Sequence, residues 1–166
     1  MEIWDGYCRD GSPAGVELVR GEAVPEGLYH LVCEIIVEHR DGSILAMQRD
    51  PHKPNHPGAW ETTAGGSALK GEDPLTCARR ELYEETGLRV ESLELLGREV
   101  SDPAHSIFYM YRADVDCVKN SISLQAGETV DYRWIPPEEF PAFVQQDMIP
   151  SQRRRYGSFL KQRGYL

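Results

Sequence analysis

Residues 66–88 read GSALKGEDPLTCARRELYEETGL, and this stretch decides the fold. Asp73 followed by Pro74 marks a helix start. A carboxylate there accepts the free amides of the first turn, and a proline at the first helical position has no amide to leave unpaired. Gly87 marks the stop, because the left-handed residue that closes a helix costs least as glycine. A helix is therefore predicted over residues 75–86. At 100° per residue Leu75, Ala78 and Leu82 share an arc of about 60°, the stripe that faces a core. Glu81, Glu84 and Glu85 share a neighbouring arc of about 100° and sit beside that stripe, not opposite it.

These acids break two local rules. Glu81 and Glu85 are like charges four residues apart, which costs a helix roughly 0.2–0.5 kcal/mol. Glu84 and Glu85 stand in the last turn, where the helix dipole disfavours anions by about 0.3–1 kcal/mol. Local rules broken together at one place point to function. Carboxylates clustered on a rigid helix become favourable around a hard divalent cation, and Mg²⁺ pairs naturally with phosphate oxygens. A solvated acidic face is the plain alternative for these three residues taken alone.

The neighbours decide between the two. Gly66, Glu72, Arg80, Glu81, Leu82, Glu84, Glu85, Gly87 and Leu88 fill every fixed place of G-x₅-E-x₇-R-E-U-x-E-E-x-G-U, with U a bulky aliphatic. A chance match at any one start is roughly 10⁻¹⁰ at average residue usage. The stretch resembles a complete Nudix box. That resemblance implies the Nudix fold and hydrolysis of a nucleoside diphosphate linked to another moiety, by attack of water on phosphorus. It implies Mg²⁺ held by Glu81, Glu84, Glu85 and the Gly66 carbonyl, with Mn²⁺ as a substitute. It also implies that Arg80 and Glu72 clamp the loop to the helix. The general base is left between Glu81 and Glu128, the latter in AGETVDYRW where the family often supplies one more acid. Arg49, at the end of AMQRD, matches a place where Nudix proteins often carry a cation for the diphosphate. Trp60 is the aromatic candidate for substrate contact, with core packing as its plain alternative. His52 and His56 read as solvated loop histidines.

Outward from the box, residues 29–38 (YHLVCEIIVE) form the best strand, almost all apolar and so covered on both faces. Asp41-Gly42 turns the chain into a strand at 44–49. Residues 50–58, with three prolines, are read as loop, and Gly65-Gly66 as another. Strands are predicted at 90–100, 107–115 and 132–135, and helices at 137–146 and 151–163. Strands on both sides of a helix, with more helix at the end, imply an α/β (α+β) domain whose mixed parallel and antiparallel sheet lies between helical layers. Residues 3–8 and 16–20 make a hairpin, so 1–27 is read as an N-terminal β extension and 28–166 as the Nudix domain.

The chain has 166 residues and a net charge of −9. The acidic balance argues against a nucleic-acid polymer as partner. No apolar run reaches the roughly 20 residues that span a bilayer, and MEIWDGYCRDG is no secretory leader. Four scattered cysteines suit a reducing cytoplasm. Cys77 falls beside the glutamates, a poor setting for a reactive thiol. Residues 151–166 carry five Lys and Arg and no acid; a helix laid on the acidic body is the plain reading, a phosphate or partner contact the sharper one.

Two other functions compete with hydrolysis. WDGY…RGEAVPEGLYHLV resembles a subgroup near the isopentenyl-diphosphate isomerases, but ETTAGGSA lacks the cysteine that their chemistry needs. A ligand-binding regulator that kept the fold would tend to lose box acids, and none is missing. The substrate stays open among nucleoside di- and triphosphates, nucleotide sugars and isoprenoid diphosphates. A homodimer formed through the hairpin stays open too.

Overall fold

The computed structural model describes residues 1–166. Its axis is β3 (His30–His39), the strand expected at 29–38 moved on by one residue. Parallel to it along its whole length runs β8 (Ser106–Val115), with β7 (Glu94–Ser101) antiparallel beyond. The other edge of β3 is shared. β6 (Thr63–Ser67) takes Val32–Ile36, whereas β4 (Ile44–Arg49) touches β3 only at Glu38↔Ile44. β4 then pairs with β5 (Trp60–Glu61) and β9 (Thr129–Ile135). The sheet therefore forks between β6 and β4, and groups from both arms face the gap.

Helices cover both faces, as the order of elements predicts. α1 (Pro74–Thr86) lays Cys77, Ala78 and Leu82 against Cys33, Ile35 and Val37. On the opposite face α2 (Phe140–Gln146), α3 (Pro150–Arg155) and α4 (Gly157–Gln162) bury Phe140, Val144 and Leu160 against Ile36, Ile44 and Ala46. A fully buried side chain such as Leu82 contributes about 1.5–3 kcal/mol. α1 starts and stops as its sequence directs: the Asp73 carboxylate accepts from Thr76 N at 2.7 Å, and Gly87 takes φ 74° while its amide donates to Tyr83 O.

The structure corrects four local expectations. Gly65 and Gly66 lie in β6, not in a loop: at Gly65 the strand runs too close to β3 for a side chain, and at Gly66 the Glu81 carboxylate takes that space. The strand expected at 90–100 begins only at Glu94, with Val90 and Leu93 packing on the core from an irregular segment. The helix expected at 151–163 breaks at Tyr156, whose backbone (φ −87°, ψ 6°) departs from helix as its ring enters the core. In α1, Leu75 is 37% exposed and Cys77 is fully buried in its stead. Direction around a helix does not say how far along its axis the core extends.

The N-terminal segment forms its own two-stranded sheet, β1 (Ile3–Tyr7) with β2 (Pro13–Val19). Tyr7 and Tyr29 exchange backbone hydrogen bonds of 2.8 and 2.9 Å. The Trp4 ring stacks on His30 at 4.1 Å, and His30 Nδ1 lies 3.1 Å from the carbonyl of His105. Burial lowers the pKa of His30 against that hydrogen bond. An unfolded histidine titrates near 6.5, so the buried neutral ring costs nothing above that pH and costs progressively more as pH falls through it. The expected result is that the melting temperature of the wild type, relative to His30→Phe, declines between pH 7 and pH 5. A constant difference would mean that His30 does not titrate on unfolding.

Candidate active site

A cavity of about 550 Å³ opens at the fork. β6 and α1 build the wall that carries Glu81, Glu84 and Glu85. Gly65 N donates to Glu85 Oε2 at 3.1 Å, and Glu81 lies so close to Gly66 that a Cβ there would meet its carboxylate at 2.6–2.8 Å. Glu81 and Glu85 are 9% and 7% exposed, whereas Glu84 stands at the exposed rim. Burial raises the pKa of Glu85 well above the carboxylate range, and the charges of Glu61 and Glu81 add to it. Glu81 is raised as well, again by burial first, although Arg80 opposes it.

Arg80 is the clamp that the sequence implied. It bonds both oxygens of Glu72 (2.7 and 2.8 Å) and the carbonyl of Ser67 at 3.1 Å. From the same guanidinium Nη1 donates to Glu81 at 2.7 Å and Glu84 at 3.1 Å. Those Glu72 bonds are the main cause of Glu72 titrating low and Arg80 high. One arginine thus ties the loop before α1 to two of its acids.

Sequence-expected residues meet here from separate elements. Arg49 ends β4 and donates through Nη1 to Glu61 (3.0 and 3.1 Å) and through Nε to Asn55 O at 3.0 Å. Glu128 also lines the cavity and is paired with Lys53. His56 joins the lining, whereas the ring of His52 is 95% exposed beside Asp50. Trp60 is not brought in. Its ring packs against the second core beneath Arg133, 4.7 Å away, and contributes nothing to the cavity wall. Cys77 also turns inward, with its thiol 3.6 Å from the Gly66 carbonyl.

Several charged residues of the cavity wall escaped the sequence reading. Glu61 is 8% exposed and held by Arg49 and Gln152, yet burial still raises its pKa. Glu34 sits in the middle of β3, paired with Arg155 of α3, whose Nε donates at 2.8 Å. The signal was available: an acid inside an apolar strand run is buried with the run and needs a partner. The basic tail lies on the acidic body, through Arg154–Glu99, Arg155–Glu34 and Arg163–Glu38. It also walls the cavity with Gln152 and Arg155.

The donor set suits a hard cation. Seven glutamates against five arginines and lysines line the cavity, so it repels a diphosphate unless positive charge enters with it. No three acidic, histidine or cysteine side chains converge to close a cage by themselves. Mg²⁺ has no need of one, since it keeps waters and takes phosphate oxygens alongside one or two carboxylates. Glu81, Glu85 and the Gly66 carbonyl fit that habit.

The NUDIX domain family model matches residues 28–156. The chain belongs to the Nudix family. A Nudix hydrolase of Listeria monocytogenes, lmo0368, is 31% identical over 147 residues, which cover 86% of this chain and 84% of that one. An isopentenyl-diphosphate Delta-isomerase of Pectobacterium atrosepticum is 26% identical over 82% of this chain and 71% of its own length. Among solved structures, DR0079 from Deinococcus radiodurans superposes with a TM-score of 0.71 at 19% identity, covering 87% of this chain and 89% of that one. The mixed sheet between helices is the fold these Nudix neighbours share. As a Nudix pyrophosphohydrolase, the protein acts on a small molecule carrying a pyrophosphate linkage, and the family generally uses divalent metal ions. No helix is long and apolar enough to cross a membrane.

Proposed function

We propose that this Nudix hydrolase uses Mg²⁺, or Mn²⁺ in its place, to split the diphosphate of a nucleoside diphosphate linked to another moiety by water attack at phosphorus. One observation carries the reading: Glu81 and Glu85 are buried side by side against the Gly65–Gly66 backbone, in a cavity whose acids outnumber its cations. When bound, a divalent cation supplies neutralisation of the diphosphate and acidification of the attacking water.

The chain's own residues do the rest. Glu85 and the Gly66 carbonyl present oxygens to the cation, with Glu84 at the rim. Arg49 is fixed by Glu61 and Asn55, which leaves its second terminal nitrogen for a phosphate oxygen. Glu81 takes the proton of the attacking water, and Arg80 holds its carboxylate in place. Glu128 is the second candidate for that proton; it is paired with Lys53 as Glu81 is with Arg80, but it is less deeply buried than Glu81. Only Val32, Phe108 and Ile149 among the 24 lining residues are apolar, which leaves an isoprenoid tail little surface to bury against. Four free cysteines fit a cytoplasmic setting, and the hairpin is an extension of the domain that begins near residue 28.

The test is release of phosphate or monophosphate from a panel of nucleoside diphosphate derivatives with Mg²⁺ and with Mn²⁺. Glu81→Gln is expected to lower kcat by about 10²–10⁴, the usual contribution of a positioned base, and Glu128→Gln by clearly less. A panel without turnover would sink the substrate reading. The reverse ranking would move the base to Glu128.

A further inference from the structure

Five cations line the cavity, and their donors are unequally engaged. Arg80 makes contacts through all three of its nitrogens. Arg155 is 7% exposed and forked onto Glu34, with its guanidinium 4.1 Å from the Phe108 ring centre. Lys53 is paired with Glu128, and Arg49 is 17% exposed on Glu61. Arg20 differs from all of them. Its single hydrogen bond runs from Nη1 to Glu2 Oε2 at 2.8 Å, and its side chain is 59% exposed. An arginine has five N–H donors, so most of this fork is free and faces solvent at a cavity wall.

Arg20 is also held in a defined place. It follows β2 as Glu2 precedes β1, so the two residues close the open end of the hairpin, with Arg20 N donating to Glu2 O at 3.0 Å. Trp4 Nε1 donates to the other Glu2 oxygen at 2.8 Å and orients the carboxylate. The hairpin is keyed to the loop that precedes α1: Lys70 N donates to Ile3 O at 2.9 Å, and Gly71 N to Asp5 Oδ2 at 2.7 Å. Its turn end is fixed separately, by Arg9 on Asp102. A decorative hairpin has no need to register on the loop that joins β6, with its Gly66, to α1 and carries Glu72. This one does, and it sets a cation at the mouth of the site.

We propose that the N-terminal hairpin is a substrate-recognition element, in which Arg20 binds the phosphate group of the diphosphate substrate that lies toward the hairpin and Glu2 holds Arg20 until that phosphate arrives. The proposal rests on the diphosphate reading above. Exchange of one anion for another makes chemical sense. Phosphate oxygens accept a guanidinium fork as a carboxylate does, and a diphosphate neutralised by a cation at the glutamates still presents oxygens at its outer end. Glu2 spares the empty site a free guanidinium that would draw unrelated anions. Arg20 therefore contributes to binding and selectivity, while Glu81 and Glu85 carry the chemistry.

The test is calorimetric binding of methylenediphosphonate, a diphosphate mimic that is not hydrolysed, in MgCl₂ to the full chain. Arg20→Ala is expected to weaken binding roughly 10-fold or more, the usual effect of losing a charge-assisted fork, with Arg20→Lys in between. Glu2→Gln should bind about 2–5-fold tighter, because the competing carboxylate charge is gone. Loss and gain from the two sides of one pair are not what a loosened hairpin would give. The melting temperature of Arg20→Ala should stay close to wild type, since an exposed pair adds little stability. Failure of the wild type to bind would overturn the diphosphate reading itself. Normal binding by Arg20→Ala, or no gain with Glu2→Gln, would overturn the role of the hairpin alone.

Discussion

Glu85→Gln is expected to abolish turnover, by at least roughly 10³-fold, and at the same time to stabilise the metal-free protein. The first effect follows from placement. Glu85 is 7% exposed, anchored by the Gly65 amide, and near enough to Glu61 and Glu81 for their charges to act on it. The amide keeps the shape and that hydrogen bond but removes the charge a divalent cation needs. The second effect follows from the cost of the empty site. Burial, and then the charges of Glu61 and Glu81, hold the Glu85 pKa well above its ordinary value.

The sign of its pH dependence is definite. An unfolded glutamate ionises near 4.3, whereas the folded one resists. Below that pH both states are protonated and Glu85 costs nothing. As pH rises toward the folded pKa the cost grows, and above it the cost is constant. The Glu85→Gln variant escapes it. Its melting temperature without metal should therefore exceed that of the wild type by a margin that opens above about pH 4.3, each kcal/mol amounting to about 2–4 °C for a domain of this size. Adding Mg²⁺ should raise the wild type and leave the variant unmoved. Thermal melts from pH 4 to 8, with MgCl₂ and with EDTA, read both effects. A variant less stable than wild type under EDTA would remove Glu85 from its position as a strained ligand.

Two adjacent glycines should fail in different ways. A Cβ on Gly65 would lie 2.0 Å from Cys33 O and 3.0 Å from Glu34 Cα, all backbone of the central strand. Neither partner can yield without parting β6 from β3. Gly65→Ala should therefore cost at least the ~1–3 kcal/mol typical of overpacking and lower the yield of folded protein. A Cβ on Gly66 meets only the end of the Glu81 side chain, at 2.6–2.8 Å. That carboxylate can swing away, so Gly66→Ala should fold while losing activity, on the order of 10²-fold for a displaced acid. Urea melts and steady-state rates on both variants separate the outcomes. A fully active Gly66→Ala would show that the Glu81 position is not critical. A Gly65→Ala protein as stable as wild type would contradict the close approach of the two strands.

The two glycines also show where reading the chain in one dimension stops. In sequence they form a flexible pair and are expected in a loop. In the structure they are strand residues: the backbone of Cys33 and Glu34 leaves no room for a side chain at Gly65, and the Glu81 carboxylate takes that space at Gly66. The reversal of Leu75 and Cys77 has a related origin. Helical periodicity gives the bearing of a residue around the axis, and only the packed sheet decides which turns of α1 it covers.

Residues 66–88 by themselves determined the helix, its two ends and its acids, and with them the family and the reaction class. Those features depend on near neighbours: capping, 100° periodicity and fixed spacing act over a few residues and so are written locally. Tertiary structure alone decided what surrounds the acids. Glu61 and Arg49 come from one arm of the forked sheet, Glu34 and Arg155 from a central strand and a helix 121 residues apart, and Arg20 from the hairpin. An ion pair across such distances leaves no periodic trace in a single chain. It forms because burial makes an unpaired charge expensive, and which charges are buried together is known only once the layers have packed.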